Sequence, residues 1–197
     1  MGGDHGPHSE MRGADSRICH TRRVGDAADW ATMLDSGTGW LLPGCHPVEM
    51  EDIYSEFVAH TSEWDRRTTW MALEQLLKHA KELFPSGRLL IGGTFISRQP
   101  GPCEAPEVAI VPDEPSAMEQ WTDVEEARFQ LCISLHDVIV GSLGPDYFDV
   151  LHPFAGRIES FFVTPEDVDQ VTIWMGTASL PSGEDLPGHR GVVEVVW

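Results

Sequence analysis

Four absences narrow the reading of this 197-residue chain before any motif is considered. Long apolar runs are missing: none approaches the roughly 18 residues that a membrane-spanning helix needs. Paired cysteines are missing. Cys19, Cys45, Cys103 and Cys132 are widely scattered and form no C-x-x-C pair, which argues against a zinc site and for free, partly buried thiols. A charged-then-apolar leader is missing from Met1-Gly-Gly-Asp-His-Gly-Pro-His, so the expected location is the cytoplasm. Basic residues are scarce: 13 Lys and Arg stand against 32 Asp and Glu, a net charge of −19.

The charge is unevenly spread. Residues 1–112 carry 10 basic and 16 acidic residues, whereas residues 113–197 carry 3 basic (Arg128, Arg157, Arg190) and 16 acidic. Sequence-independent binding to DNA or RNA depends on Lys and Arg displacing counterions, so non-specific nucleic-acid binding is excluded. A basic protein partner is compatible with the surplus, and so is plain solubility. The nine His show neither H-x-x-x-H nor H-E-x-x-H spacing, which gives no zinc-enzyme motif. Ser134, Ser142 and Ser160 lack the G-x-S-x-G setting of a hydrolase.

What remains is a chain with enough apolar content to fold. Hydrophobic residues make up 41% and there are seven Trp, which argues for a packed core. The seven Trp suit core and strand-face packing better than base stacking, which needs a basic groove. Residues 1–37, rich in Gly, Asp, Arg and Ser, read as a loosely ordered tail, and Met33 is a candidate translation start. Residues 38–197 read as one domain.

Within it, residues 48–60 suit a short helix with Ile53, Phe57 and Val58 on one face. A second helix is expected from about 63 to 84, with a capping box at Ser62 and Asp65 and a stripe of Trp64, Met71, Leu76, Leu77 and Leu83. Arg88–Gly92 and Val108–Val111 read as buried strands. Ser116 and Glu119 form the pattern of a capping box, which predicts a third helix reaching about residue 139. Gly141–Pro145 reads as a turn. Tyr147–Leu151, Arg157–Val163, Val171–Met175 and Gly191–Trp197 read as strands, the last two joined by a loop over 179–189. Helices first and strands mixed in later give an α+β class.

Chemistry is suggested by one stretch. Ile91-Gly92-Gly93-Thr94-Phe95 follows a strand, and glycines there let backbone N–H groups approach a phosphate. Twelve residues on, Glu107-Val108-Ala109-Ile110-Val111 forms the next strand. Side chains at i and i+2 of a strand share a face, so Glu107 and Ala109 point the same way. Glu104 lies three residues before Glu107, and Glu159 in Arg157-Ile-Glu-Ser-Phe-Phe is a further carboxylate on a strand.

This order resembles the nucleotidyltransferase fold, in which a Gly-Gly or Gly-Ser turn is followed by an acid-x-acid strand. It also resembles an uncharacterised bacterial family with that minimal fold, a fold also used by toxin, antitoxin and defence proteins. Leu41-Leu42-Pro43-Gly44-Cys45-His46 is similar to the family's Leu-Pro-Pro-Gly-x-His opening, which an Arg-containing helix follows. Gly93-Thr94-Phe95-Ile96-Ser97-Arg98 is similar to its Gly-Ser-Phe-Val-Thr-x-Lys, and Pro106-Glu107-Val108-Ala109 to its Pro-x-Asp-Ile-Asp. Trp174-Met-Gly-Thr177 and Gly188-His-Arg-Gly-Val-Val-Glu-Val match its closing segments.

The resemblance implies a minimal mixed sheet packed against helices. It implies a nucleoside triphosphate held at Gly92, Gly93, Thr94 and Arg98, and Mg²⁺ held by Glu107 and Glu159, with Glu104 as a substitute ligand. In such centres three carboxylates hold two Mg²⁺ that bridge the triphosphate and the attacking hydroxyl. Two departures stand out. Glu replaces Asp at 107, and Ala109 offers no oxygen at all. The expectation is therefore a nucleotidyltransferase-fold protein with a decayed catalytic centre. It would bind a nucleotide or a basic protein, as one half of a toxin–antitoxin or defence-type pair. Two rivals remain: an active Mg²⁺-dependent nucleotidyltransferase using Glu107 and Glu159, and an acidic interaction protein without a nucleotide site.

Overall fold

The computed structural model describes residues 27–100, 102–140, 146–179 and 185–197. The expected turn at Gly141–Pro145 and most of the tail lie outside them. Among the described residues, six α-helical segments occur, α1 (Trp30–Met33), α2 (Met50–Phe57), α3 (Trp64–Leu83), α4 (Asp123–Gln130), α5 (Pro153–Gly156) and α6 (Val168–Met175). Nine strands accompany them: β1 (Gly44–Pro47), β2 (Gly87–Ile91), β3 (Glu107–Pro112), β4 (Leu135–Val140), β5 (Asp146–Leu151), β6 (Glu159–Phe162), β7 (Ala178–Ser179), β8 (Asp185–Leu186) and β9 (Gly191–Val196).

Five strands make one mixed sheet in the order β1-β9-β2-β3-β6. β9 and β3 run antiparallel to β2, while β1 is parallel to β9 and β6 is parallel to β3. Both faces are covered, as apolar runs such as Leu89-Leu90-Ile91 and Val108–Val111 require. Leu89, Ile91, Val108, Ile110, Val193 and Val195 pack towards Ile53, Phe57, Leu73, Leu76 and Leu77 of α2 and α3. Alternate residues of the same strands, Leu90, Ala109, Val111 and Val192, form a second cluster with Met175, Val168 and Val171 of α6. The fold is thus a mixed sheet between helices, as expected of an α+β chain.

Four expectations need correction. The core begins before residue 38: Trp30 and Leu34 are buried, and Trp30 meets Phe57 edge-on at 4.9 Å. Asp52 tethers this segment, accepting from the Ala28 N–H and from the Glu49 N–H that opens α2. The expected stripe on α3 holds at Leu76, Leu77 and Leu83 and fails at Trp64 and Met71. Trp64 and Met71 are exposed, whereas Arg66, Thr69, Trp70, Leu73, Leu76, Leu77, Ala80 and Leu83 are buried. Glu63 is its N-cap, and no side chain caps it.

The expected helix from Ser116 is a 3-10 turn over Pro115–Gln120. The capping box lies six residues later: the Thr122 N–H donates to Glu125 Oε2 (2.7 Å), and the Glu125 N–H donates back to Thr122 Oγ1 (3.4 Å). That helix ends at Gln130, and β4 follows. Phe129 and Trp121 instead join Phe84 and Phe162 in an aromatic group on the helical side of the sheet. Val171–Met175 is helical. A helix directs Val168, Val171 and Met175 inwards at spacings of three and four and leaves Ile173 and Trp174 outside.

The Pro-Gly-x-His segment has a local explanation. Gly44 takes φ +122°, and the His46 ring bonds the Leu42 carbonyl at 2.7 Å. That folds the turn against Gly191, where a side chain would collide with both Leu42 O and the His46 ring.

Candidate functional site

The Gly-Gly turn, the start of β3, the start of β6 and the segment before β9 meet at one edge of the sheet. Gly92 continues the β2–β3 ladder, its N–H donating to Glu107 O at 2.9 Å. Gly93 takes φ +89°, a region that side chains avoid. The chain then turns once through Thr94–Ile96. Thr94 Oγ1 accepts the Glu104 N–H at 3.0 Å, so the hydroxyl is occupied in tying the following loop to the turn.

The residue that holds this turn was not singled out from sequence. Arg66 on α3 is buried and donates to Phe95 O at 2.7 Å, Ser97 O at 3.1 Å and Thr94 O at 3.4 Å. A guanidinium fork suits neighbouring carbonyls, of which Thr94 O also accepts the Ser97 N–H and Oγ–H. The signal available in sequence was an arginine recurring at three- and four-residue spacing with Thr69, Trp70 and Leu73, within the helix that the family resemblance describes as Arg-containing.

Arg98, expected to grip phosphate, is engaged elsewhere. It pairs with Glu56 of α2 at 2.5 Å, and its N–H donates to Gly39 O. The cation near the carboxylates is Arg190. Its guanidinium lies 3.8 Å from the centre of the Trp40 ring, a stacked arrangement that favours Arg. Arg190 is drawn below its ordinary pKa by burial, with Glu107 and Glu104 opposing that change.

Glu107 and Glu159 are direct partners across the parallel β3–β6 ladder. Glu107 is half-buried and its pKa is raised, first by loss of water and second by Glu159, with Arg190 opposing. Two like charges on neighbouring strands resist joint ionisation. Glu104 is exposed on the loop before β3.

Ala109 has no exposed surface and lies among Leu90, Val111, Met175 and Val192. The position where a second metal-holding acid would project is therefore sealed beneath α6. Met175 also closes on Gly92, where an added Cβ would stand 3.3 Å from Met175 Cε. Close helix packing accounts for the glycine at 92, and backbone conformation for the one at 93. Among the described residues, no three His, Cys, Asp or Glu side chains gather as a metal-holding group. The site does not fit a two-metal centre.

A mixed five-stranded sheet with an acidic, Arg-balanced edge defines the class of domain. A family model, described as a family of unknown function (DUF6932), matches residues 33–195, and the chain belongs to that family. No curated protein and no solved structure matches it. Among the described residues, no helix is long and apolar enough to cross a membrane.

Proposed function

We propose that this protein is a nucleotidyltransferase-like domain that works by binding rather than by group transfer, as one half of a toxin–antitoxin or defence-type pair. The observation that supports the reading most is Ala109. It stands in the acid-x-acid position and is enclosed by an apolar cluster, so no nearby carboxylate can stand in for the missing ligand without burying a charge.

Electrostatics favour a basic protein over a nucleotide as the occupant. Glu104 and Glu107 lie close enough to Arg190 to act on it, and Glu159 acts on Glu107, so a triphosphate would add further negative charge at short range. The net charge of −19 acts in the same direction over longer distances. A basic surface gains from both terms.

A second reading, an Mg²⁺-dependent nucleotidyltransferase, is favoured by the in-register pair of Glu107 and Glu159. The two readings are separated by incubating the protein with labelled nucleoside triphosphates and Mg²⁺. Binding without catalysis predicts no transfer of label to any acceptor. Transfer that disappears in Glu107→Ala assigns the protein to the second reading.

A further inference from the structure

A groove of about 400 Å³ runs between β6 and α6, lined by Phe161, Phe162, Val171, Trp174, Gln170 and Asp167 among others. We propose that this groove docks an extended segment of a partner protein in which basic and apolar residues alternate. The proposal rests on the binding reading above and adds the surface and the chemistry of the partner.

The apolar half of the groove is exposed. Trp174, which lines the groove, is 52% exposed, although the same helix packs Val168, Val171 and Met175 against the sheet. Trp174 stands edge-on to Phe161 at 5.3 Å, which gives the groove an aromatic wall. Exposed aromatics beside a polar rim are characteristic of interaction sites.

The acidic half is charge complementarity. Residues 158–179 contain no Lys or Arg and four acidic residues. Glu166, Asp167 and Asp169 are exposed at the start of α6, and Thr164 Oγ1 holds the Asp167 carboxylate at 2.8 Å. A basic segment would neutralise this rim. A second copy of the chain is disfavoured, because each copy carries −19 and the same acidic rim.

The extended conformation follows from the sheet. β6 is the last strand of the five. The Glu159 and Val163 N–H groups bond back towards β3, on Pro106 O and Ile110 O. Ser160 faces the other way, its N–H donating to Ser134 Oγ and its carbonyl accepting the Ser134 N–H. Strand alternation turns the N–H and C=O of Phe162 to that same outer edge. Ser134 already fills the Ser160 position, so an extended segment would bond β6 at Phe162 and lay its side chains into the aromatic groove.

The test is selection of a random peptide library on the full-length protein, with affinities measured by fluorescence anisotropy. The expected winners combine Lys or Arg with aliphatic or aromatic residues. They lose roughly tenfold or more in affinity for Trp174→Ala, and lose several-fold for the charge-reversed pair Glu166→Lys and Asp169→Lys. Circular dichroism and melting temperature check that each variant folds. The charge-reversed pair alters only exposed side chains, so it decides the matter if Trp174→Ala does not fold. Winners without basic residues, winners unaffected by both variants, or no enrichment would overturn the groove assignment. So would self-association of the chain that Trp174→Ala abolishes. Basic peptides that bind at another surface would remove the groove and leave the binding reading standing, whereas nucleotide transfer would remove that reading itself.

Discussion

Glu107 and Glu159 face each other across adjacent parallel strands, and burial together with that neighbour holds the Glu107 carboxyl above its ordinary value of 4.5. The folded state therefore keeps a proton that the unfolded chain releases. Its stabilising effect is fully present below about pH 4.5 and is lost as pH rises through the folded-state pKa. Glu107→Gln should remove this loss. Thermal melts between pH 4 and pH 8 should place the variant above the parent at neutral pH, with the two converging near pH 4. A variant less stable than the parent at pH 7 would show that the ionised carboxylate, held by Arg190, stabilises the fold.

Restoring the acid at position 109 should damage the fold. Ala109→Asp places a carboxylate without partners among Leu90, Val111, Met175 and Val192. The expected loss is about 3 kcal/mol, near 10 °C in melting temperature. No nucleotide transfer should appear. A folded, equally stable Ala109→Asp would mean that α6 does not seal this position.

The glycines of the turn should separate by mechanism. Gly93→Ala makes only ordinary contacts, 3.6 Å from Pro106 Cα, but must adopt φ +89°, at about 2 kcal/mol. Gly92→Ala meets only the flexible end of Met175 at 3.3 Å and should cost less. Gly176→Ala should be worst, because its Cβ would stand 2.3 Å from the Arg190 carbonyl oxygen. Urea titrations of the three variants give the order.

Arg66→Met should loosen the turn. It removes the Arg66 donors from Phe95 O and Ser97 O, while Thr94 O keeps its bonds from Ser97, at about 3 kcal/mol. Arg66→Lys should recover only part of this, since one ammonium cannot reproduce the fork. Hydrogen exchange over residues 94–98 should rise more than elsewhere in the sheet. Uniform exchange across the domain would contradict a local clamp.

Much of the sheet was legible because β2, β3 and β9 are short apolar runs bounded by Gly or Pro, and such runs have little alternative. The helix at residues 171–175 was not, because Val171, Ile173 and Met175 fit alternation as well as helical spacing. The helix from Ser116 was misplaced because two capping patterns lie six residues apart, and only the second is followed by helix. At the site, the Gly-Gly turn followed from its place after a strand, and Glu107 and Glu159 were legible as strand carboxylates, whereas their pairing is set by the β3–β6 register. Arg66, Arg190 and the Trp40 stack did not, because they come from segments distant in sequence. Arg98 was assigned by position in a motif, and its pairing with Glu56 depends on how α2 packs.

The most direct measurement is label transfer from radiolabelled nucleoside triphosphates in Mg²⁺, comparing the full-length protein with Glu107→Ala. The account predicts no transfer in either. Transfer by the parent that Glu107→Ala abolishes would contradict it.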